Sequence, residues 1–295
     1  MTAGRRAVIP AAGRGTRLSP LTLGVAKELL PLGAYPALAA SLLEVAAAGV
    51  TDLIVVTAAA KPQLERFFGE LRALQGSAAL ADAREPPGPA ARLAGLLEGV
   101  TVRLVEQPAP LGVLDAVARG LALTGSPCAV VFPDLIHLPD QTALVRLFAA
   151  HAACGQAVIG LRAPPPGGFP GNAVAVELPP EYASPEAREH AAATATPLPI
   201  RALGPRRGVP GELLTTFGQI QTAALDAAID DCCRRHPGAP LADDGLLSAL
   251  ARLAAAGGLY GVLLPGEVVD LGSLPGYLDA VRRFLDHRAA LRGLP

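Results

Sequence analysis

Between Ala7 and Pro31 the chain reads AVIPAAGRGTRLSPLTLGVAKELLP, and these are residue types that hold phosphates. A short apolar run, Ala7 to Pro10, leads into a turn of small residues, Ala11, Ala12, Gly13 and Gly15, followed by Thr16. Glycine reaches positive φ and carries no Cβ, so the main-chain N–H groups of such a turn can approach a ligand closely. Arg17 and Lys27 place cations on the same loop. A strand that enters a glycine-rich, cation-bearing loop is a recurrent phosphate cradle. Its two best-known versions do not fit. The dinucleotide fingerprint G-x-G-x-x-G meets Leu18 where its third glycine belongs, and the Gly-Lys-Ser/Thr ending of the Walker A loop is replaced by Gly15-Thr16-Arg17.

The elements around this loop alternate. Strands are expected at Asp52 to Thr57, Val102 to Val105 and Cys128 to Phe132, with helices from Pro36 to about Ala48, Lys61 to Leu74 and Leu111 to Leu123. Gly76 to Gly99 reads as irregular. Apolar strands separated by helices describe an α/β fold, a mainly parallel, Rossmann-like sheet flanked by helices on both faces. Such sheets bind ligands at the carboxyl ends of their strands. Residues able to do chemistry do follow the strands: the glycine loop after the first, Gln107 and Gly112 after the third, and Asp134 after the fourth. A carboxylate directly after VVFP is placed either to hold Mg²⁺ or to cap a turn.

The second half is less regular. Strands are expected at Gln156 to Arg162, Asn172 to Leu178, Leu213 to Thr222 and Leu259 to Leu264, and helices at Ala223 to Arg235, Asp243 to Ala255 and Leu274 to about Ala290. Pro164 to Pro170 reads as a loop able to cover a site, and Pro179 to Pro199 as a mobile excursion. The basic pair Arg282 and Arg283 on the last helix reads as solvated surface.

Composition narrows the partners. The 295 residues are 51% hydrophobic and 17% charged, which describes a globular chain with a sizeable core. Aromatics at 4%, with no Trp, offer little to stack bases on, and a net charge of −1 supplies no field for nucleic acid. Small molecules or a second copy of the chain are the expected partners. No apolar run approaches the ~20 residues of a membrane span. The N-terminal apolar run, broken by Pro10 and Arg14, is too short for a secretion signal, so a cytoplasmic location is expected. Cys128, Cys154, Cys232 and Cys233 lack metal-site spacing.

The pattern A-A-G-x-G-T-R followed by K-E-x-L-P (Ala11 to Arg17, Lys27 to Pro31) resembles the sugar-1-phosphate nucleotidyltransferases, in particular the bacterial UTP–glucose-1-phosphate uridylyltransferases. Q-x-x-P-L-G (Gln107 to Gly112), Pro133-Asp134 and D-x-G-x-x-x-G-Y (Asp270 to Tyr277) continue the resemblance in order. It implies a nucleotide-diphospho-sugar transferase fold with a nucleotide-binding part over residues 1–140 and a smaller α+β acceptor part over 141–273. The C-terminal helix region, 274–295, would be available for homo-oligomer contacts. It further implies that Gln107 and Gly112 read the base with Ala11, Ala12, Gly13, Gly15 and Thr16 around the nucleotide. Arg17, Lys27 and Asp134 would carry the catalysis, Asp134 and Asp270 would share a Mg²⁺, and Gly171 with Asn172 would face the sugar.

The sugar half departs from that pattern. Where the family carries Glu-Lys-Pro, with the lysine on the sugar phosphate, this chain has Leu203-Gly204-Pro205 and then Arg206-Arg207. Either arginine would supply the missing cation, or the pair is solvated loop. Leu114-Asp115 also replaces the family's usual pair before Ala116-Val117. The implied reaction joins UTP and a sugar-1-phosphate, most simply glucose-1-phosphate, into a UDP-sugar and pyrophosphate. The Gln107 amide suits uracil or thymine, or cytosine if it flips. The remaining alternatives are the same chemistry on another triphosphate or acceptor, and a catalytically weak nucleotide-binding regulatory protein.

Overall fold

The computed structural model describes residues 4–75, 88–125, 127–138, 142–163, 174–204, 213–221, 223–235 and 244–286. In chain order the strands are β1 (Arg5–Pro10), β2 (Pro31–Leu32), β3 (Tyr35–Pro36), β4 (Val50–Ala58), β5 (Thr101–Gln107), β6 (Cys128–Val130) and β7 (Leu135–Leu138). They continue with β8 (Ala157–Arg162), β9 (Ala175–Glu177), β10 (Leu198–Pro199), β11 (Ala202–Gly204), β12 (Leu213–Gln221), β13 (Leu259–Leu263) and β14 (Glu267–Asp270). The helices are α1 (Leu38–Ala47), α2 (Pro62–Leu74), α3 (Pro89–Gly95), α4 (Val113–Thr124) and α5 (Ala143–Cys154). After them come α6 (Pro185–Thr194), α7 (Ala223–Arg235), α8 (Asp244–Ala255) and α9 (Leu274–Asp286).

The first half builds a parallel sheet in the order β6-β1-β4-β5. Its strands are apolar throughout because both faces are covered, and their period of two deals side chains to opposite cores. Ala7, Ile9, Leu53 and Val55 enter one core with α1, α2, α3 and α5. Val8, Ile54, Val56 and Val130 enter the other with α4, α7 and α8. The sheet then continues into the second half: β12 lies antiparallel between β6 and β8, and β13 is parallel to β8. One ten-stranded sheet thus runs through both halves, parallel in its nucleotide-side half and mixed beyond β6.

A third core lies under one end of this sheet. Leu18 and Leu30 from the opening loop, Ile136 from β7, Val269 from β14, and Tyr277 and Phe284 from α9 pack together. Strands β7 and β14 pair antiparallel as a separate ribbon, with Asp270 opposite Leu135. The Tyr277 hydroxyl donates to the Pro31 carbonyl at 2.9 Å, tying α9 to the end of the loop.

Several expectations are corrected. The stretch read as a mobile excursion, Pro179 to Pro199, contains a 3-10 turn, helix α6 and strand β10. Ser184 caps α6 by accepting from the Ala187 N–H at 3.1 Å, and Leu198 is fully buried beside β13. Its high Pro and Glu content marks helix starts and exposed helix faces rather than disorder. Part of the irregular region, Gly88 to Gly99, holds helix α3; residues 76–87 lie outside the described residues. Arg283 is not simply solvated, since it pairs with Asp279 at 2.7 Å and with Glu267. The loop expected at Pro164 to Pro170 lies outside the described residues.

Candidate active site

The opening loop takes its shape from local backbone chemistry. The Ala11 N–H donates to Val56 O at 2.7 Å, extending the sheet register one residue past β1. Gly15 adopts φ 68°, which a residue with a Cβ disfavours, and leads into a 3-10 turn over Thr16–Leu18. The Thr22 hydroxyl donates to Gly15 O at 2.9 Å and closes the loop on itself. Leu18 is buried in the third core, so its neighbours Thr16 and Arg17 are turned to solvent at the sheet's carboxyl edge.

Lys27 and Glu28 begin a second 3-10 turn and point to different partners. Lys27 Nζ donates to Asp134 Oδ2 at 2.6 Å. Burial works against the Lys27 charge, but the Asp134 and Glu28 carboxylates outweigh it and raise its pKa above the ordinary lysine value. Burial likewise pushes the Asp134 carboxyl up, and the Lys27 ammonium overrides it, so the net shift is down. Both directions favour the charged pair.

Glu28 is 1% exposed and meets Lys61, which is 6% exposed. Lys61 Nζ donates to both Glu28 carboxylate oxygens, at 2.9 and 2.7 Å, and to the Ala11 carbonyl at 2.7 Å. All three ammonium hydrogens are used, and the glycine loop is bound to the end of β4. Burial nevertheless holds the Lys61 pKa below the ordinary value, the Glu28 carboxylate offsetting only part of that cost. Sequence reasoning treated Lys61 as an ordinary helix start. Its position directly after VVTAAA, at the same strand edge as the other polar residues, is the signal that points to it.

The two acids meet through the β7–β14 ribbon. Leu271 N–H donates to the Asp134 carbonyl at 2.7 Å, which sets the two carboxylate-bearing residues side by side. Asp270 Oδ1 accepts from Gly272 N–H at 2.7 Å. A Cβ on Gly272 would sit 2.8 Å from Asp270 Oδ1 and 3.3 Å from Arg17 Nη2, so the guanidinium and the carboxylate flank this glycine. Burial raises the Asp270 pKa, and repulsion from Asp134 adds to it against the pull of the Gly272 N–H and Arg17. Lys27, Glu28, Pro133, Asp134 and Leu271 line one small cleft. Asp134 lines this cleft and Asp270 precedes its Leu271, and two hard carboxylate donors that repel each other there suit a divalent ion such as Mg²⁺. Among the described residues no group of three or more His, Cys, Asp or Glu forms a fuller metal cage.

Further along the edge, Gln107 closes β5 and Gly112, at φ 93°, precedes α4. Gln107 Nε2 donates to Gly112 O at 3.0 Å and to Asp115 Oδ2 at 2.7 Å. The structure thus gathers Arg17, Lys27, Asp134 and Asp270 in one place and sets Gln107 and Gly112 two strands away from the glycine loop. Leu203, where the related pattern has Glu, lies in β11 and packs on the second core. Gly171, Asn172, Arg206 and Arg207 lie outside the described residues.

A glycine loop with two cations, facing two carboxylates at the carboxyl edge of a parallel sheet, defines a nucleotide-handling α/β protein. The chain belongs to the nucleotidyl transferase family, whose model matches residues 6–169. It is 31% identical over 159 residues to the UTP–glucose-1-phosphate uridylyltransferase YngB of Bacillus subtilis strain 168, a match covering 54% of this chain and 52% of that one. It is 32% identical over 162 residues to UTP–glucose-1-phosphate uridylyltransferase 2 of Staphylococcus saprophyticus, covering 54% of each. The chain thus matches about half the length of these curated relatives. Likeness of fold extends further. The UTP-bound UGPase from Acinetobacter baumannii superposes with a TM-score of 0.71 over 98% of this chain and 96% of that one, at 22% identity. A UDP-glucose pyrophosphorylase complexed with UDP-glucose gives 0.73 over 96% and 99%, at 19% identity. Among the described residues no helix is long and apolar enough to cross a membrane.

Proposed function

We propose that the chain is a Mg²⁺-dependent nucleotidyltransferase that joins UTP and a sugar-1-phosphate, most simply glucose-1-phosphate, into a UDP-sugar and pyrophosphate. The observation that carries this reading is the meeting of Arg17, Lys27, Asp134 and Asp270 beside the glycine loop, in a chain of the nucleotidyl transferase family. Residues 1–140 then bind the nucleotide and 141–273 the acceptor.

In this reading a sugar-phosphate oxygen attacks the α-phosphorus of UTP; the new P–O bond forms as the bond to the β-phosphate oxygen breaks, and pyrophosphate leaves with that electron pair. A phosphate monoester is largely ionised at neutral pH, so the step needs no general base. Catalysis is positioning and charge neutralisation. Arg17 and the N–H groups of Gly13 to Thr16 hold the leaving phosphates. Lys27, already seated against a carboxylate at the cleft, neutralises charge on the transferring phosphate. Asp134 and Asp270 hold Mg²⁺, which supplies Lewis-acid stabilisation of the phosphate oxygens. On the acceptor side Gly171 and Asn172 face the sugar, and Arg206 or Arg207 replaces the lysine of the related pattern. A homo-oligomer through α9, which leaves Leu274 and Leu278 exposed, and a cytoplasmic location complete the proposal.

Leu203, partly buried against the second core where the related pattern has an acid, favours one further reading, a nucleotide-binding protein with little turnover. Pyrophosphate release across a panel of triphosphates and sugar-1-phosphates separates the two. Release with UTP and a hexose-1-phosphate is expected; Mg²⁺-dependent UTP binding without release on any acceptor favours the binding protein, and neither binding nor release refutes both.

A further inference from the structure

A Gln amide faces a ligand with its oxygen or its nitrogen, and the two faces choose different bases. Gln107 is 5% exposed, and its Nε2 donates to two groups, the Gly112 carbonyl at 3.0 Å and Asp115 Oδ2 at 2.7 Å. Both are acceptors only, a carbonyl and a carboxylate. Turning the amide over would lose both hydrogen bonds and set Oε1, an acceptor, against two acceptor oxygens at 3.0 and 2.7 Å. The orientation is therefore fixed by chemistry. Both Nε2 hydrogens are committed to protein, and Oε1, with no hydrogen bond among the described residues, is the atom left to meet a ligand.

Asp115 is itself held. It stands in the first turn of α4, where the helix N-terminus favours a carboxylate, and Arg119 one turn later donates Nε to the same Oδ2 at 2.7 Å. The brace runs from Arg119 through Asp115 to Gln107, from the face of a helix to the end of a strand.

We propose that Asp115 is a positioning residue for base selection: it locks Gln107 with its carbonyl oxygen outward, so that the site takes a base presenting an N–H at the middle of its pairing edge. Uracil and thymine present N3–H there. Cytosine presents a ring-nitrogen lone pair, which faces Oε1 as one acceptor faces another. The inference rests on the proposed UTP-binding function, with Gln107 in the base-reading role that the family resemblance implies, and explains what the departure at Asp115 does.

The test is titration of the protein with Mg–UTP and with Mg–CTP, read as the ratio of the two Kd values, with pyrophosphate release as a parallel measure of kcat/KM. Wild type is expected to prefer UTP by about tenfold or more, the factor that 1.4 kcal/mol corresponds to. Asp115→Ala leaves the Gly112 carbonyl as the one acceptor holding the amide and shifts the ratio towards one, by a loss for UTP together with a gain for CTP. Asp115→Asn still offers Gln107 an acceptor oxygen and keeps most of the preference. Thermal melts establish that each variant is folded, and Asp115→Ser removes the carboxylate a second way should Asp115→Ala not fold. A merely structural role would weaken both nucleotides alike, and an equal loss overturns the proposal. So does a wild type that binds CTP as tightly as UTP, while leaving nucleotide binding itself intact. Failure of wild type to bind either nucleotide removes both this inference and the reading it rests on.

Discussion

Lys61 offers the sharpest test of how the loop is held. Replacing it by Met keeps the length of the side chain and removes three hydrogen bonds, those to both oxygens of Glu28 and to the Ala11 carbonyl. What remains is a carboxylate at 1% exposure facing a thioether. Removing one partner of a buried pair costs about 3–5 kcal/mol, because the other charge stays behind uncompensated. Against a total stability of about 5–15 kcal/mol this is a large share. The Glu28→Gln/Lys61→Met double variant removes the stranded charge as well and should recover at least half of the loss. Urea denaturation followed by circular dichroism suits a chain without Trp. A loss below about 1 kcal/mol in Lys61→Met, or a double variant as unstable as the sum of the two singles, would refute the reasoning. Mg–UTP affinity should fall in the single variant too, since the Ala11 carbonyl loses its bond to Lys61 and the loop keeps only the Ala11 N–H bond to Val56 at this point.

Three further expectations concern the site itself. Asp134→Ala and Arg17→Ala should each lower pyrophosphate release by ~10² or more while the protein still melts cooperatively; near-wild-type turnover in either contradicts its assigned role. Gly15→Ala forces a Cβ at φ 68° into contact with Thr22 Cγ2 at 3.1 Å and Lys27 Cβ at 3.2 Å, so it should cost about 1–3 kcal/mol in a denaturant titration and weaken UTP binding. The Asp134 carboxyl is held below its ordinary value of 3.8, so its stabilising effect is full above that value and is lost as pH falls through the folded-state value. The stability gap between wild type and Asp134→Asn should therefore stay constant near neutral pH and close below about pH 4; a gap that opens on acidification would reverse the sign of the account.

Much of the nucleotide half was legible because its signals are local. The parallel strands read as unbroken apolar runs, since β1 and β4 are covered on both faces. Gly15 and Leu18 sit where a turn and an anchor are needed, and the rule that ligands gather at carboxyl strand ends led to Gln107 and Asp134. What escaped depends on contacts distant in sequence. The buried Lys61–Glu28 pair joins residues far apart along the chain, and nothing in either local pattern announces the other. The short strands β7, β10 and β11 exist only through their partners, which hydrophobic periodicity cannot reveal. Helix α5 is a different case: Leu144, Leu147 and Phe148 have amphipathic spacing, so its pattern is local and legible, although no helix is among the expectations there. Asp115 was visible as an unusual residue, yet its grip on Gln107 needed the geometry of α4 against β5.

The most direct test of the central claim is anomalous diffraction from crystals grown with UTP and Mn²⁺ in place of Mg²⁺. The account predicts one strong peak within coordination distance of carboxylate oxygens from both Asp134 and Asp270, with the triphosphate over Gly13 to Arg17. A peak bound elsewhere, or a nucleotide seated away from the glycine loop, would contradict it.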